Sequence, residues 1–318
     1  MKRLLVTGYS GFVGKTLVSK LNENYQLNLL GRKPSNLGCV YTHNIDSISS
    51  YSDALDNVGV VVHCAARVHI MDDVAIDPLN EFRAVNTLGT LNLAKQASQA
   101  GVKRFIFLST IKVNGESTTG KASYTAHDKH IAEDPYGISK SEAEEQLLEL
   151  GMQTGMEIVV IRPTLVYGHG VKANFSALLN LVTKKIPLPF GSINKNQRSL
   201  VSVYNLVDLI DKCIYHPNAA NQTFLVSDDH DLSTTEMVKL MAKVQGVKPW
   251  LVPVPVWMLK FLGKITGKSD MISRLTDSLQ VDITHTKETL DWTPPYSVEE
   301  GFAMCVQKPI ENNEKIEK

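Results

Sequence analysis

A short apolar run, Arg3 to Thr7, breaks directly into Gly8-Tyr9-Ser10-Gly11-Phe12-Val13-Gly14. The glycine spacing is GxxGxxG, and from Phe12 to Leu21 apolar residues return at helical intervals. A strand that turns through glycines straight into a helix is the opening of a βαβ unit. Glycines permit the tight turn, let backbone N–H groups approach a ligand closely, and let helix pack on strand. The helix N-terminus adds partial positive charge, so the turn suits a pyrophosphate. Gly8, Ser10, Gly11, Phe12, Val13 and Gly14 are the expected phosphate-side contacts of a dinucleotide. A purely structural turn is the competing reading of any lone glycine-rich segment.

The rest of the first half keeps the same rhythm. Apolar runs at Gln26 to Leu30, Val58 to Cys64, Arg104 to Ser109 and Glu157 to Arg162 read as buried strands. Between them, Pro78 to Gln99 and Pro135 to Thr154 carry helical spacing, as in Leu88, Leu91, Ala94 and Ala97. This alternation predicts an α/β fold of the Rossmann type, a doubly wound parallel sheet with helices on both faces. Beyond Arg162-Pro163 the pattern loosens around Pro187, Pro189, Gly191 and Asn194 to Gln197. We therefore expect a dinucleotide-binding domain over residues 1–165, to which later segments return, and a smaller C-terminal α/β substrate lobe over 166–308. Residues 309–318 are polar enough to fray.

Two positions bear on which dinucleotide is bound. The second strand ends Leu29-Leu30-Gly31-Arg32-Lys33, where an acid would grip the adenine ribose of NAD. Gly31 leaves room and Arg32 offers a planar fork for a 2′-phosphate, so NADP and NAD both remain open. A basic turn facing water is the plainer account of Arg32. Asp46 can accept from an adenine amino group or simply form a turn.

The reactive groups are a spaced pair. In Asp134-Pro135-Tyr136-Gly137-Ile138-Ser139-Lys140, Asp134 is a candidate N-cap and Pro135 a first-turn proline. Tyr136 and Lys140 then fall at i and i+4 on one face. A neighbouring ammonium and a nicotinamide cation both favour a phenolate, which makes Tyr136 a candidate general acid/base. Ser109 and Thr110 close a strand at the end where open parallel sheets bind ligands, and Thr110 would offer its hydroxyl to the reacting oxygen. A tyrosine packed on a lysine stem and a hydroxyl cap are the structural alternatives.

Composition narrows the classes. Lys+Arg 33 balance Asp+Glu 33, so no overall basic field draws in nucleic acid or anionic lipid, and any anion must be met locally. Cys39, Cys64, Cys213 and Cys305 form no CxxC pair, which fits a reduced cytoplasmic protein. The nine histidines show no ligand spacing, His127 and His130 reading as solvated surface, and we expect no metal. The N-terminus carries no signal-peptide pattern, so a cytoplasmic location is expected. The apolar stretch Leu251 to Leu262 is broken by Pro253, Pro255 and Lys260 and is read as packing surface, with peripheral membrane contact the lesser alternative.

Taken together, these residues resemble the extended short-chain dehydrogenase/reductases, the NAD-dependent epimerase/dehydratase family that acts on nucleotide sugars. The likeness runs from about residue 3 to 305. It is carried by the glycine loop, His63-Cys64-Ala65-Ala66, Asn86 in Val85 to Thr90, Ser109-Thr110, Tyr136 to Lys140, and Arg162-Pro163-Thr164-Leu165-Val166-Tyr167-Gly168. The resemblance implies that Cys64, Ala65 and Ala66 line the cofactor, Asn86 supports the active site, Ser109 borders the cofactor, Lys140 binds the nicotinamide ribose, and Pro163 lies near the nicotinamide ring. It also implies substrate contacts at Asn174, Arg198 and Arg274, the arginines suiting a diphosphate. A homodimer through the segments Pro78 to Gln99 and Pro135 to Thr154 follows from the same likeness.

Within that family, dehydratases place an Asp-Glu pair after the catalytic threonine, whereas Ile111-Lys112 stands here and disfavours 4,6-dehydration. Longer stretches, Ala66 to Met71 and Ile111 to Gly115, are similar to bacterial surface-polysaccharide enzymes that are UDP-sugar 4-epimerases or reductases of 4-keto sugars. Asn114 and Leu165 depart from residues common in the epimerases. The resemblance thus implies hydride transfer at C4 of a UDP-hexose or UDP-N-acetylhexosamine, with epimerase and reductase level. A catalytically silent dinucleotide-binding redox sensor is the alternative from another class, and intact Tyr136 and Lys140 argue against it.

Overall fold

The computed structural model of the chain describes residues 2–68, 77–171, 173–184 and 186–306, with the side chains of 173 and 174 left out. Among the described residues a seven-stranded parallel sheet runs in the order β10-β6-β5-β4-β1-β2-β3. Its strands are β1 (Arg3–Thr7), β2 (Gln26–Leu30), β3 (Cys39–Tyr41), β4 (Val60–His63), β5 (Arg104–Leu108), β6 (Glu157–Pro163) and β10 (Gln222–Val226). Burial on both faces explains why these runs are almost wholly apolar. Leu4, Val6, Val62 and Ile106 point into one core with helices α1 (Phe12–Leu21) and α6 (Val203–Tyr215). Leu5, Val61, Phe105 and Phe107 alternate onto the other face, beneath α3 (Thr90–Gln99) and α4 (Pro135–Thr154).

The strand expected over Val58 to Cys64 is shorter, covering Val60–His63, although Gly59 and Cys64 still donate to the Arg3 and Thr7 carbonyls at its two ends. The helix expected over Pro78 to Gln99 keeps its outer limits but not its regularity. It begins as α2 (Pro78–Arg83), passes through a π-helical segment at Ala84–Gly89, and resumes as α3. The wider π turn shifts the helical phase. Leu88 is consequently half-exposed instead of joining Ala94 and Ala97 in the core.

The second lobe has its own core around Tyr167, Phe175, Val238, Met241 and Phe302. It comprises β7 (Leu165–Tyr167) paired with β9 (Leu200–Ser202), β8 (Pro187–Leu188) paired with β11 (Trp250–Leu251), and α5 (Ala173–Thr183), α7 (Thr234–Val244), α8 (Val256–Ile265), α9 (Ser269–Thr276) and α11 (Val298–Val306). The chain is not divided by one cut. α6 packs on α1, β10 extends the main sheet beside β6, and α10 (Thr284–Leu290) brings Leu290 into the first core. The polar tail expected over 309–318 lies outside the described residues.

One reading fails in this lobe. The stretch Leu251 to Leu262 is not all packing surface, for Trp257, Phe261 and Leu262 are exposed, as is Ile265 just beyond.

Candidate functional site

Strand order reverses at β1, where the chain goes first to β2 on one side and later to β4 on the other. In an open α/β sheet, that switch point leaves a crevice at the carboxyl ends of the strands. Parallel pairing sets Thr7 beside His63 and His63 beside Phe107. The glycine loop, Cys64 to Ala66 and Ser109-Thr110 therefore all emerge at one edge.

The loop's glycines are needed for distinct reasons. Gly8 sits at φ +68°, and a Cβ there would lie 2.6 Å from the Ala65 nitrogen. A Cβ on Gly14 would lie 2.1 Å from the Gly8 carbonyl oxygen, so the first turn of α1 rests directly on the loop. Tyr9 fixes the loop to the segment that follows the second strand by donating to the Lys33 carbonyl. Gly11 caps α1 without any side-chain hydrogen bond, and no acidic residue occupies its first turn. The first-turn N–H donors of Phe12, Val13 and Gly14 are thus uncapped by side chains and meet no local anion. A loop without Cβ atoms and a helix end without a cap fit the pyrophosphate of a dinucleotide.

A buried triad braces the floor beneath this loop. Thr7 Oγ1 is 2.7 Å from His63 Nδ1, His63 Nε2 is 2.9 Å from Thr90 Oγ1, and the Ala65 N–H donates to Thr7 Oγ1. Burial, followed by the nearby Lys140 charge, brings the His63 pKa down to about 3, so the ring is neutral and structural. Cys64 is pushed up to about 12 by burial, against the opposing influence of Lys140, and remains a thiol.

Asn86 lies in the π-helical segment and is fully buried. Its amide donates to the Arg67 carbonyl and to Ser139 Oγ, and its carbonyl accepts from the Arg67 N–H. Thr87 donates to the Ser139 carbonyl. The wide turn thereby joins the segment after β4 to the helix bearing Tyr136 and Lys140, a common use of π turns.

α4 begins as expected. Asp134 accepts from the Gly137 N–H at 2.7 Å and from Lys112 Nζ at 2.5 Å, and Pro135 occupies the first turn. Tyr136 is half-buried beside Phe82, their rings 6.0 Å apart. Lys140 is 1% exposed, with its ammonium 3.8 Å from the centre of the Phe107 ring. Burial lowers its pKa to about 7, opposed by Glu144 and Cys64. Here the structure departs from the simple expectation of a lysine that depresses the tyrosine. In the protein alone, burial and then the Asp134 carboxylate hold Tyr136 above its ordinary value. The lysine is itself pressed toward its neutral form, which weakens its pull on the phenol.

Ser109 and Thr110 have diverged in role. Ser109 donates to buried Glu144, whereas Thr110 is extended and accepts from the Lys112 N–H at 3.3 Å, its own proton meeting no acceptor among the described residues. Glu144 also takes Arg162 through Nε at 3.1 Å and Nη2 at 2.5 Å, and Arg162 donates further to Asn114 at 2.9 Å and His130 Nε2 at 2.6 Å. His130, expected to be solvated, is held in this network because its loop folds back over α4, where Ser141 Oγ lies 2.7 Å from Nδ1. The network went unread in the sequence. Its one local sign is Glu144 at i+4 from Lys140.

The remaining candidates are more dispersed. Arg32 is exposed and makes no hydrogen bond or ion pair among the described residues. Asp46 spends its carboxylate on a turn, accepting from the N–H groups of Ile48 and Ser49 and from Ser49 Oγ. Pro163 ends β6 beside Val226. Arg198 is half-buried between Leu232 and Leu279 and donates to the Asp277 carbonyl at 3.1 Å. Burial lowers its pKa, Asp277 opposes, and Arg274 on α9 is near enough to reinforce the lowering. The two arginines therefore belong to one region. The side chain of Asn174 lies outside the described residues, as do His69, Ile70 and Met71.

Known proteins align with this chain along nearly its whole length. The family model described as the NAD dependent epimerase/dehydratase family matches residues 4–227. A UDP-glucose 4-epimerase of Vibrio cholerae is 53% identical over 319 aligned residues, covering 99% of this chain and 97% of that protein. The crystal structure of a UDP-glucose 4-epimerase from Thermotoga maritima with UDP-glucose superposes with a TM-score of 0.75 at 22% identity, covering 95% of this chain and 96% of its own. That of a UDP-glucuronic acid 4-epimerase from Bacillus cereus in complex with NAD gives 0.76 at 18%, covering 95% and 97%. At those identities the two structures speak to the fold.

Proposed function

Since the chain belongs to the NAD dependent epimerase/dehydratase family, we propose that it is an NAD-dependent 4-epimerase of a UDP-hexose or UDP-N-acetylhexosamine. One observation carries the reading. An uncapped helix N-terminus and the pair Tyr136 and Lys140 sit on one sheet edge, in a chain 53% identical to a UDP-glucose 4-epimerase. The dinucleotide, when bound, supplies the acceptor and donor of hydride at C4 of the sugar.

The chain's own residues do the rest. The loop from Gly8 to Gly14 takes the pyrophosphate, while Cys64, Ala65, Ala66, Ser109 and Pro163 line the cofactor's path and Asp46 closes the adenine end. Lys140, fixed over Phe107, holds the nicotinamide ribose. Tyr136, in the phenolate form that the positive charge of a bound oxidised dinucleotide would favour, accepts the C4 hydroxyl proton as the 4-keto sugar forms and returns it afterwards. Thr110, whose proton meets no acceptor among the described residues, orients that oxygen. Asn86 acts at one remove, holding α4 in register through Ser139. On the smaller lobe, Arg198 and Arg274 clamp the diphosphate, with Asn174 toward the nucleotide, so the hexose is free to present its opposite face.

A division of labour follows, with cofactor on residues 1–165 and the strands that return to it, and substrate on 166–308. α2, α3 and α4 pack together and leave Leu88 and Met152 exposed, which supports a homodimer built on these helices. Four free cysteines support a reducing cytoplasmic setting. Among the described residues no helix is long and apolar enough to cross a membrane.

A second reading rests on Arg32, whose unpaired guanidinium suits NADPH and hence a 4-keto reductase. One experiment separates the two. The protein is supplied with NAD and UDP-glucose or UDP-N-acetylglucosamine, and the products are resolved by proton NMR. C4 epimers at equilibrium support the epimerase. No epimer, together with NADPH consumption on a UDP-4-ketohexose, overturns it in favour of the reductase.

A further inference from the structure

α8 lies on the smaller lobe with its two buried positions, Leu259 and Gly263, turned toward the protein. Gly263 is the close approach to α9, for a Cβ there would lie 2.7 Å from Ile272 Cγ1. At 3.6 residues per turn, Trp257, Phe261 and Ile265 form a stripe centred roughly opposite that packed face. A surface helix normally turns charged residues to that side. Here Trp257 is 71% exposed, Phe261 58% and Ile265 66%. Leu262 and, on α9, Met271 are also exposed, so the apolar surface extends along both helices.

Charge around the stripe is one-sided, although the chain as a whole balances 33 cations against 33 anions. Apart from Arg274, assigned above to the diphosphate, residues 248–277 carry Lys248, Lys260, Lys264 and Lys268 against Asp270 and Asp277. Lys260 is 2.9 Å from Asp277, which uses one of the two acids. Lys260 and Lys264 run along one edge of the stripe. An outward tryptophan, a phenylalanine and an isoleucine edged by lysines are the components of a helix that lies in a bilayer interface, the apolar side chains below the headgroups and the ammonium groups among them. Ten residues are too few to span a bilayer.

We propose that the outward face of α8, extended by Met271, docks this protein on an anionic phospholipid surface. The excess of cations selects a negatively charged surface over a neutral one. It also disfavours a second copy of the chain, which would bring the same excess of lysines to the contact.

The test is co-sedimentation of the full chain with phosphatidylcholine vesicles, with and without phosphatidylglycerol. The wild type is expected to partition onto the anionic vesicles and leave them as salt rises. The double variant W257E/F261E is expected to lose binding by at least about tenfold, and K264E/K268E to lose the preference for phosphatidylglycerol. Neither pair is in the proposed site, so both variants should turn over soluble substrate as the wild type does, which keeps this test separate from that of the epimerase reading. Equal sedimentation with both vesicle types overturns the proposal, as does undiminished binding by W257E/F261E. So does a wild type that stays in solution while W257E/F261E converts a light-scattering dimer to monomer, since that assigns the face to a second copy.

Discussion

Substituting Glu144 by Gln removes the charge at the centre of the buried network while keeping its volume. Arg162 is 2% exposed and Glu144 fully buried, so the guanidinium would keep its charge with no carboxylate to answer it. The carboxamide also turns a donor toward the Arg162 guanidinium, which can only donate, or toward Ser109, which then loses its ionic acceptor. Breaking a buried pair by removing one partner is worth about 3–5 kcal/mol. For 318 residues, an unfolding entropy of about 2 cal/mol/K per residue converts that into a Tm lower by about 5–8 °C. The assay is thermal and urea unfolding of the wild type, E144Q, R162M and the double variant E144Q/R162M. Both single variants should be destabilised, and the double variant should be more stable than the sum of the two predicts, the pair coupling by more than 1 kcal/mol. A fall of under 1 °C in E144Q, or strict additivity in the cycle, would refute the view that this pair anchors α4 to β6.

Other consequences follow from the same geometry. Gly14→Ala places a Cβ against the Gly8 carbonyl; relieving it at about 1–3 kcal/mol should weaken NAD binding about 5- to 150-fold by calorimetry, and unchanged affinity would remove the loop from the cofactor site. Lys140 has a folded-state pKa of about 7, below its unfolded value of 10.5. The unfolded chain therefore binds the extra proton between those values, and the lysine's penalty is fully present below pH 7 and relieved as pH rises toward 10.5. K140M should accordingly exceed the wild type in Tm most at pH 6 and lose that advantage by pH 10; the reverse trend would contradict the assignment. Arg32→Asp should shift preference from NADP toward NAD by about tenfold or more, read as the ratio of the two dissociation constants, and an unmoved ratio would show that Arg32 faces only water.

Much of this was legible because it is local. The strand, glycine loop and helix from Arg3 to Leu21 are contiguous, and Tyr136 and Lys140 share a helix face whose start is fixed by Asp134 and Pro135. Local spacing encodes such geometry directly. What escaped depends on distant partners. Glu144 meets Ser109 and Arg162 from 35 and 18 residues away, and His130 meets Arg162 across 32; no periodicity marks a network that exists only once β5, β6 and α4 have packed. The π turn at Ala84–Gly89 leaves the apolar spacing of a regular helix nearly intact, so the spacing of Leu88, Leu91, Ala94 and Ala97 gives no sign that Leu88 lies exposed. The exposed face of α8 misled for a related reason, since apolar residues at helical spacing look the same whether they meet a core or remain outside it. Tyr136 illustrates a third limit, for its spacing from Lys140 was readable but the depth of burial that sets both pKa values was not.

The central claim is that hydride moves between C4 of the sugar and the bound dinucleotide while Tyr136 carries only the hydroxyl proton. Its most direct test is turnover of UDP-glucose deuterated at C4, in ordinary water, by the wild type and by Tyr136→Phe. The account predicts a C4 epimer that retains its deuterium, formed by the wild type and slowed on the order of 10²-fold or more in the variant, whose NAD affinity stays near that of the wild type. Loss of the label to solvent, or a variant as fast as the wild type, would contradict it.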